Sequence, residues 1–202
     1  MAKVMIDLSM SLDGFITGPN PTPDQGLGDG GAPLHQWYFN GTEPSHHSDF
    51  FKPLGSSREV VDEMFETTGA IVVGRSWYDI TNGWEGNHPI RGASVFLVTH
   101  KAPDRIPQGE TPIIVVTEGV ESAVKQAKAA AGDKVVTVGG ASIAQQCLNA
   151  GLVDEIMIHL VPILLGDGVR LFDKLGSTPL EMEIVRVTEA PGVTHIRYRV
   201  VK

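Results

Sequence analysis

The chain has 202 residues, a net charge of −8 at pH 7 and 42% hydrophobic residues. This length and composition predict one folded domain, residues 1–202, with a sizeable buried core. The acidic balance argues against a general binder of nucleic acid or of anionic membranes. Cys147 is the only cysteine, which excludes an intrachain disulfide and a thiolate-rich metal site.

No segment of the sequence is typical of a membrane or secretory protein. The first residues lack the long apolar stretch of a signal peptide, and the most apolar run, 156–165, is too short to cross a bilayer. We therefore expect a cytoplasmic protein whose partner is a small-molecule substrate, with neither nucleic acid nor membrane as a partner.

Short apolar runs alternate with segments that favour helix. The runs predict buried strands at 3–11, 70–73, 93–98, 112–116, 135–138 and 153–161. Helices are predicted at 56–66, 120–131 and 142–150, and a hairpin is predicted from 180–189 and 193–201. This order indicates an α/β domain with a mostly parallel sheet and an antiparallel edge.

Residues 18–55 form a long segment rich in glycine and proline, with three aromatic residues at 37–39. A segment of this length predicts a functional loop or lid over a site. His46 and His47 are adjacent in it, and we expect solvated loop residues rather than a metal pair. No metal site is predicted.

The predicted helix 56–66 starts with a serine cap and carries four carboxylates. Its apolar residues form one stripe, so we expect the acids on the solvated face: Glu59, Asp62, Glu63 and Glu66.

The strand 135–138 ends at paired glycines, and a helix follows at once. Gly139 and Gly140 allow a close approach of the backbone to a ligand, and Ser142 offers a hydroxyl at the start of the helix. The unpaired N–H groups of a helix N-terminus suit a phosphate. The alternative is an ordinary strand-to-helix turn that needs glycine for its geometry.

Two further strand ends carry residues that can bind an anion. Arg75 follows the strand 70–73, and Thr99, His100 and Lys101 follow the strand 93–98. Ligands of open α/β sheets bind beyond the carboxyl ends of the strands, so three such ends favour an anion site over isolated surface residues.

Asp13 follows the first strand and is our candidate for substrate binding or proton transfer; a turn-forming role beside Gly14 is equally open. Phe15, Trp37 and Trp84 are candidates for the walls of an apolar substrate pocket.

Five motifs occur in an order typical of one family: Ser11–Ile16, Val73–Asp79, Val98–Lys101, Val138–Ser142 and Val161–Gly168. On them the chain resembles the dihydrofolate reductase-like superfamily, in particular the stand-alone relatives of the riboflavin-biosynthesis reductase domain. The motifs span nearly the whole chain and are specific only together.

The resemblance implies a three-layer αβα sandwich around an eight-stranded sheet, NADPH as the cofactor and a homodimer. By the same likeness, residues 139–143 hold the pyrophosphate: Gly139, Gly140, Ala141, Ser142 and Ile143. The residues along the adenosine and its 2′-phosphate are Gly74, Arg75, Ser76, Thr99, His100 and Lys101.

The deaminase half of the riboflavin enzyme needs a zinc site with a P-C-x-x-C motif, which a chain with one cysteine lacks. We therefore expect no deaminase activity. The resemblance implies an NADPH-dependent reductase that acts on a small heterocyclic (pterin- or pyrimidine-like), carbonyl or imine substrate. The alternative is a sensor that binds NADPH or a pterin without turnover.

Overall fold

The computed structural model describes residues 2–202. Within them the elements follow in this order: β1 Val4–Ser11, β2 Phe15–Thr17, α1 Ser57–Thr67, β3 Thr68–Gly74, α2 Arg75–Ile80, β4 Ser94–Val98, β5 Ile113–Val116, α3 Val120–Ala131, β6 Val135–Gly139, α4 Ala141–Asn149, β7 Glu155–Val161, β8 Val169–Arg170, β9 Met182–Ala190 and β10 Val193–Val200. Two short 3-10 helices cover Ala32–Tyr38 and Asn82–Gly86.

Eight strands form one sheet in the order β5-β4-β3-β6-β1-β7-β10-β9. The first six of these are parallel, whereas β10 runs antiparallel to both β7 and β9. The predicted parallel sheet with a C-terminal antiparallel hairpin is confirmed. The short strands β2 and β8, which form a separate antiparallel pair, had no sequence signal of their own.

Layers of helix cover both faces of the sheet. On one face, α3 and α4 pack on an apolar cluster that includes Val4 and Ile6 of β1. On the other face, a second cluster holds Val61 of α1 together with Leu34 and Trp37 of the first 3-10 helix. Because side chains alternate along a strand, Asp7 and Ser9 of β1 lie on this second face. The predicted three-layer arrangement is therefore present.

The second face contains a buried chain of four polar side chains. The carboxylate Oδ1 of Asp7 lies 2.7 Å from Nε2 of His159, and Nδ1 of His159 lies 2.7 Å from Nδ1 of His195. Nε2 of His195 lies 2.9 Å from the hydroxyl of Ser57. The chain joins β1, β7, β10 and α1, and the residues from 57 onward in it are no more than 2% exposed.

The direction of the protons in this chain follows from its first member. A carboxylate can only accept, so His159 donates its Nε2–H to Asp7. Nδ1 of a neutral His159 then accepts from Nδ1–H of His195, whose bare Nε2 accepts the hydroxyl proton of Ser57. This arrangement of hydrogen bonds gives each of the four groups a partner.

The prediction for the acids of α1 is only half right. Glu59 and Glu66 are exposed, but Asp62 is buried and accepts the backbone N–H of His46 at 2.9 Å, and Glu63 pairs with Arg197 at 2.7 Å. These partners come from distant segments, which a helical stripe does not reveal. The predicted serine cap is also absent, because the Ser56 hydroxyl donates to the Glu189 carbonyl instead.

The segment 18–55 is only partly a surface loop. Leu34 and Trp37 are 0% and 2% exposed and belong to the core of the second face. The preceding turn is closed by backbone hydrogen bonds from Gly18 to Leu27 and from Asp29 to Pro19. Within the predicted loop or lid, residues 32–38 therefore form a short 3-10 helix that belongs to the core.

Among residues 2–202, no helix is both long enough and apolar enough to cross a membrane, and no group of His, Cys, Asp and Glu has the geometry of a metal site.

The buried histidine chain predicts a loss of stability in acid. Burial, followed by the nearby His159 and Arg186, holds the pKa of His195 at about 3. Since an unfolded histidine has a pKa of about 6.5, the unfolded state binds more protons between these two values. The free energy of unfolding is therefore highest above this range and falls as the pH decreases through it. At about pH 5 the expected loss is about 2 kcal/mol.

Urea unfolding at about pH 5 and about pH 7.5 measures this difference. A His195→Gln variant, which cannot titrate in this range, is expected to show a smaller difference between the two pH values. His100→Gln removes an exposed histidine and serves as the control. An unchanged pH difference in His195→Gln would contradict the assignment.

Candidate functional site

The three predicted anion-binding strand ends lie side by side at the carboxyl edge of the sheet. β3 is hydrogen-bonded to both β4 and β6, so the residues after these strands are neighbours. Gly74 packs against the side chain of Ile143, which would lie 3.0 Å from a Cβ at position 74. The ends of β3 and β6 are thus in direct contact through a glycine and the first turn of α4.

Positions 139 and 140 need glycine for two different physical reasons. A Cβ at Gly139 would lie 1.4 Å from the indole of Trp77, so the indole packs directly on the backbone there. Gly140 has a φ of +84°, in the left-handed region that favours glycine. The glycines therefore let Trp77 of α2 lie flat against the end of β6 and let the chain turn into α4.

The N-terminus of α4 is open toward this edge. Gly140 precedes the helix, and no side chain caps the first turn. The Ser142 hydroxyl accepts from Gln146 of the same helix at 3.1 Å. The backbone N–H groups of the first turn, Ala141 to Ile143, therefore point out of the helix end, where the macrodipole favours an anion.

Two residues with cationic side chains, Arg75 and Lys101, follow the ends of β3 and β4 and are joined through the Lys101 backbone carbonyl. The Arg75 guanidinium donates from Nε to both carboxylate oxygens of Asp79, at 2.7 and 2.8 Å, and from Nη1 to the Lys101 carbonyl at 3.3 Å. Thr99 donates its hydroxyl to the same carbonyl at 2.9 Å. The structure thus brings Arg75, Thr99 and Lys101 together, while His100 is exposed beside them.

A cavity of about 150 Å³ opens next to these groups. Its walls come from the end of β1, from β2, from the first turns of α2 and α4, and from residues 21–35. The lining is largely apolar, with Trp77, Leu27 and Ile80 as its larger side chains. Gly140 and Ala141 join the cavity to the open N-terminus of α4.

Two larger depressions of about 750 Å³ and 590 Å³ are polar. The first lies beside Arg91 and Thr111, at the starts of β4 and β5 and so at the opposite edge from the carboxyl ends. The second borders Arg75 and Asp79 on the outside of α2. Neither joins the cationic groups to an apolar slot, so the smaller cavity is the better candidate site.

The cavity contains polar groups that lack partners. The hydroxyl of Thr17 is buried without a hydrogen bond among residues 2–202, a state that costs about 1–3 kcal/mol in a folded protein. His35 lines the same cavity, and burial, followed by the nearby His159, lowers the pKa of His35 to about 4. Ser9 accepts the Trp37 indole N–H at 3.0 Å, which leaves the Ser9 proton to donate.

Asp13 does not line this cavity. Its carboxylate accepts from Ser11 at 2.6 Å and from the backbone N–H groups of Leu165 and Gly166 at 3.1 and 2.7 Å. The hydrogen bond from Ser11, with those from the backbone, lowers the pKa of Asp13 to about 2. Such a group carries no proton near neutral pH, so the geometry gives Asp13 the structural role of joining two turns.

The three predicted aromatic walls lie outside the cavity. Trp37 is 2% exposed and packs on His159 and His195 behind it, and Phe15 is 3% exposed beneath the Arg170 guanidinium. Trp84 touches Trp77 edge-on, with ring centroids 6.1 Å apart, and so supports the wall from outside. The large apolar residues Trp37 and Phe15 are thus part of the hydrophobic core and not of the cavity wall.

The residues that do line the cavity were mostly missed. Ser9 and Thr17 are small polar residues in or next to apolar strands, and His35 lies in a segment without a clear pattern. One sequence signal for this region is the alternation of Asp7, Ser9 and Ser11, which places three polar residues on one face of β1. Buried polar side chains need hydrogen-bond partners, so this alternation predicts other polar groups next to that face.

Comparison with solved structures agrees with the fold. The putative riboflavin biosynthesis protein from Shewanella sp. PV-4 covers 100% of both chains at 23% identity, with a TM-score of 0.70. The deaminase/5-amino-6-(5-phosphoribosylamino)uracil reductase from Thermotoga maritima gives 0.69 at 14% identity; the match covers 99% of this chain and 57% of that longer one. Dihydrofolate reductase from Enterococcus faecalis, complexed with NADP(H), gives 0.54 at 12% identity and covers 99% and 97%.

The sheet order, the two helix layers and these likenesses identify a dihydrofolate reductase-like fold. The family model described as the RibD C-terminal domain matches residues 2–196. The chain therefore belongs to the RibD C-terminal domain family.

Proposed function

We propose that this protein is an NADPH-dependent reductase that acts on a small heterocyclic, carbonyl or imine substrate. The observation that carries the proposal is the continuity of the site. The cationic residues Lys101 and Arg75, an uncapped helix N-terminus and an apolar cavity lie along the carboxyl ends of β4, β3 and β6. The groups of NADPH occur in a matching order: the 2′-phosphate would meet the cations, the pyrophosphate the helix N-terminus, and the flat nicotinamide ring the apolar cavity.

The residues at the phosphate end fit an anion. Lys101 has no side-chain ion pair among residues 2–202, and Arg75 shares its charge with a single carboxylate, that of Asp79. These cations favour NADPH over NADH, because only NADPH carries a 2′-phosphate. The first turn of α4, from Ala141 to Ile143, offers backbone N–H groups to the pyrophosphate.

The residues that line the cavity would orient a bound ring and shield it from water. NADPH supplies a hydride from its nicotinamide ring when it is bound. Trp77 and Leu27 exclude water from the cavity, and the turn at Gly140 keeps it joined to the helix N-terminus. Because Asp13 is held as a carboxylate outside the cavity, a proton for the substrate has to come from solvent or from the hydroxyl and imidazole groups that line it.

The first test is a titration with NADPH and NADH that follows tryptophan fluorescence, since Trp77 lines the cavity. We expect Arg75→Ala and Lys101→Ala to weaken NADPH binding by about ten- to a hundredfold, because each removes a charged hydrogen bond to the 2′-phosphate. Binding of NADH should change little. Arg199→Ala, an exposed arginine paired with Glu183 at the far end of the sheet, is the matched control.

Failure of both nucleotides to bind would overturn the proposal. Tight NADPH binding without oxidation across a broad panel of pterins, pyrimidines and carbonyl compounds would favour the non-catalytic sensor instead. Oxidation of NADPH with any of these substrates supports the reductase.

We further propose that the protein is a homodimer that pairs through the β9 end of the sheet. The helices α3 and α4 pack on β3 and β6, and side chains on the same face of β9 are uncovered. Met182, Ile184 and Val187 are 43%, 66% and 56% exposed there. An apolar patch of this kind marks an interaction site, and packing against a second copy would cover it.

We expect Ile184→Glu with Val187→Glu to convert the dimer to a monomer in sedimentation velocity. The pair of carboxylates would have to be buried without partners in the interface. Leu164→Glu alters a more exposed leucine elsewhere and should leave the dimer intact. A wild-type protein that sediments as a monomer at micromolar concentration would disprove the dimer.

A further inference from the structure

The Arg75 guanidinium is held from two sides. Its Nε donates to both carboxylate oxygens of Asp79, one helical turn later, at 2.7 and 2.8 Å. Its Nη1 donates to the backbone carbonyl of Lys101, which follows the neighbouring strand, at 3.3 Å. The Thr99 hydroxyl donates to the same carbonyl at 2.9 Å, so this acceptor is itself held in place. The guanidinium therefore has one contact on α2 and another on the turn after β4.

These contacts leave part of the guanidinium free. Arginine carries five N–H groups, and the two contacts use one on Nε and one on Nη1. Within residues 2–202 the Arg75 side chain forms no other hydrogen bond. The side chains of Arg75 and Asp79 are 43% and 49% exposed. The remaining N–H groups, one on Nη1 and two on Nη2, are therefore available to an anion from solvent.

Helix stability does not account for the pair of Arg75 and Asp79. Arg75 begins α2, and Asp79 is the last residue but one of this helix. The helix macrodipole favours a carboxylate at the start and a cation at the end, which is the reverse of this order. An exposed ion pair also adds little stability in itself. The carboxylate at position 79 therefore needs another explanation.

We propose that Asp79 is a positioning residue that fixes Arg75 for the 2′-phosphate of NADPH and thereby sets the preference for NADPH over NADH. This inference rests on the proposed function, because it needs the cofactor assigned there. A free arginine side chain loses rotational freedom when it binds a phosphate, and this loss lowers the affinity. The Asp79 carboxylate and the Lys101 carbonyl order the guanidinium before the cofactor binds, so the loss is smaller.

The negative charge of Asp79 has the opposite effect on a phosphate, which it repels. Positioning and repulsion therefore predict opposite changes in affinity when the carboxylate is removed. Asp104 offers a matched control for the charge, because it lines the same depression of about 590 Å³ as Arg75 and Asp79. Its exposed side chain forms no hydrogen bond or ion pair anywhere in residues 2–202.

Titrations with NADPH and NADH, followed by tryptophan fluorescence, test the inference. We expect Asp79→Asn to weaken NADPH binding by about three- to tenfold and to leave NADH binding nearly unchanged, because the amide loses the charge-assisted hydrogen bond that orders Arg75. Asp79→Glu keeps a carboxylate within reach and should bind NADPH more tightly than Asp79→Asn. Asp104→Asn removes the same charge and should not weaken NADPH binding.

A double-mutant cycle shows whether Asp79 acts through Arg75. In an Arg75→Ala background, Asp79→Asn is expected to cause no further weakening of NADPH binding, because no guanidinium is left to position. The melting temperature of Asp79→Asn should stay close to that of the wild type, since the pair is exposed and opposed by the helix dipole. A carboxylate with a purely structural role would instead lower the melting temperature and weaken both nucleotides alike.

Three results would overturn the inference. One is unchanged or tighter NADPH binding by Asp79→Asn, and another is an equal weakening with and without Arg75. The third is an equal loss of affinity for NADPH and NADH. If the wild-type protein binds neither nucleotide, the proposed function fails and the inference fails with it. If the wild type prefers NADPH and Asp79→Asn keeps that preference, only the inference fails.

Discussion

The structure depends on one buried row of polar side chains, in which each member has a hydrogen-bond partner. Asp7, His159, His195 and Ser57 hydrogen-bond in sequence across the second face of the sheet, and an apolar layer covers them. A buried network of this kind is favourable only if every member has a partner, so it fixes the rotamer and tautomer of each side chain. Trp37 packs on both imidazoles, and the segment that carries it is thereby held against β1.

Trp37 connects this buried hydrogen-bonded row to the candidate site. Its indole N–H fixes Ser9 at the cavity wall, and His35 lies two residues earlier on the same 3-10 helix. From the other side, parallel strands deliver the turn at Gly140 and the base of α2 to the same edge. The cavity thus lies between a rigid polar core and the carboxyl ends of the sheet, where ligands of open α/β sheets bind.

Sequence reasoning recovered the architecture because long apolar runs and glycine-bounded helices are local signals. It also placed Arg75 and Lys101 correctly at neighbouring strand ends, since parallel strands end at one edge. It failed where the partner is remote: Asp7 and His159 are 152 residues apart, and the acid Asp62 is buried by a loop 16 residues before it. Trp37 was assigned to a pocket because the sequence does not distinguish a large apolar residue in the core from one that lines a pocket.

The contact between Gly139 and Trp77 makes the residue allowed at position 139 depend on the residue at position 77. A side chain at position 139 has no space while the indole is present, and a smaller residue at position 77 would leave the glycine backbone and the cavity open to water. Relatives with alanine or serine at the equivalent of Gly139 are therefore expected to carry a small residue at the equivalent of Trp77.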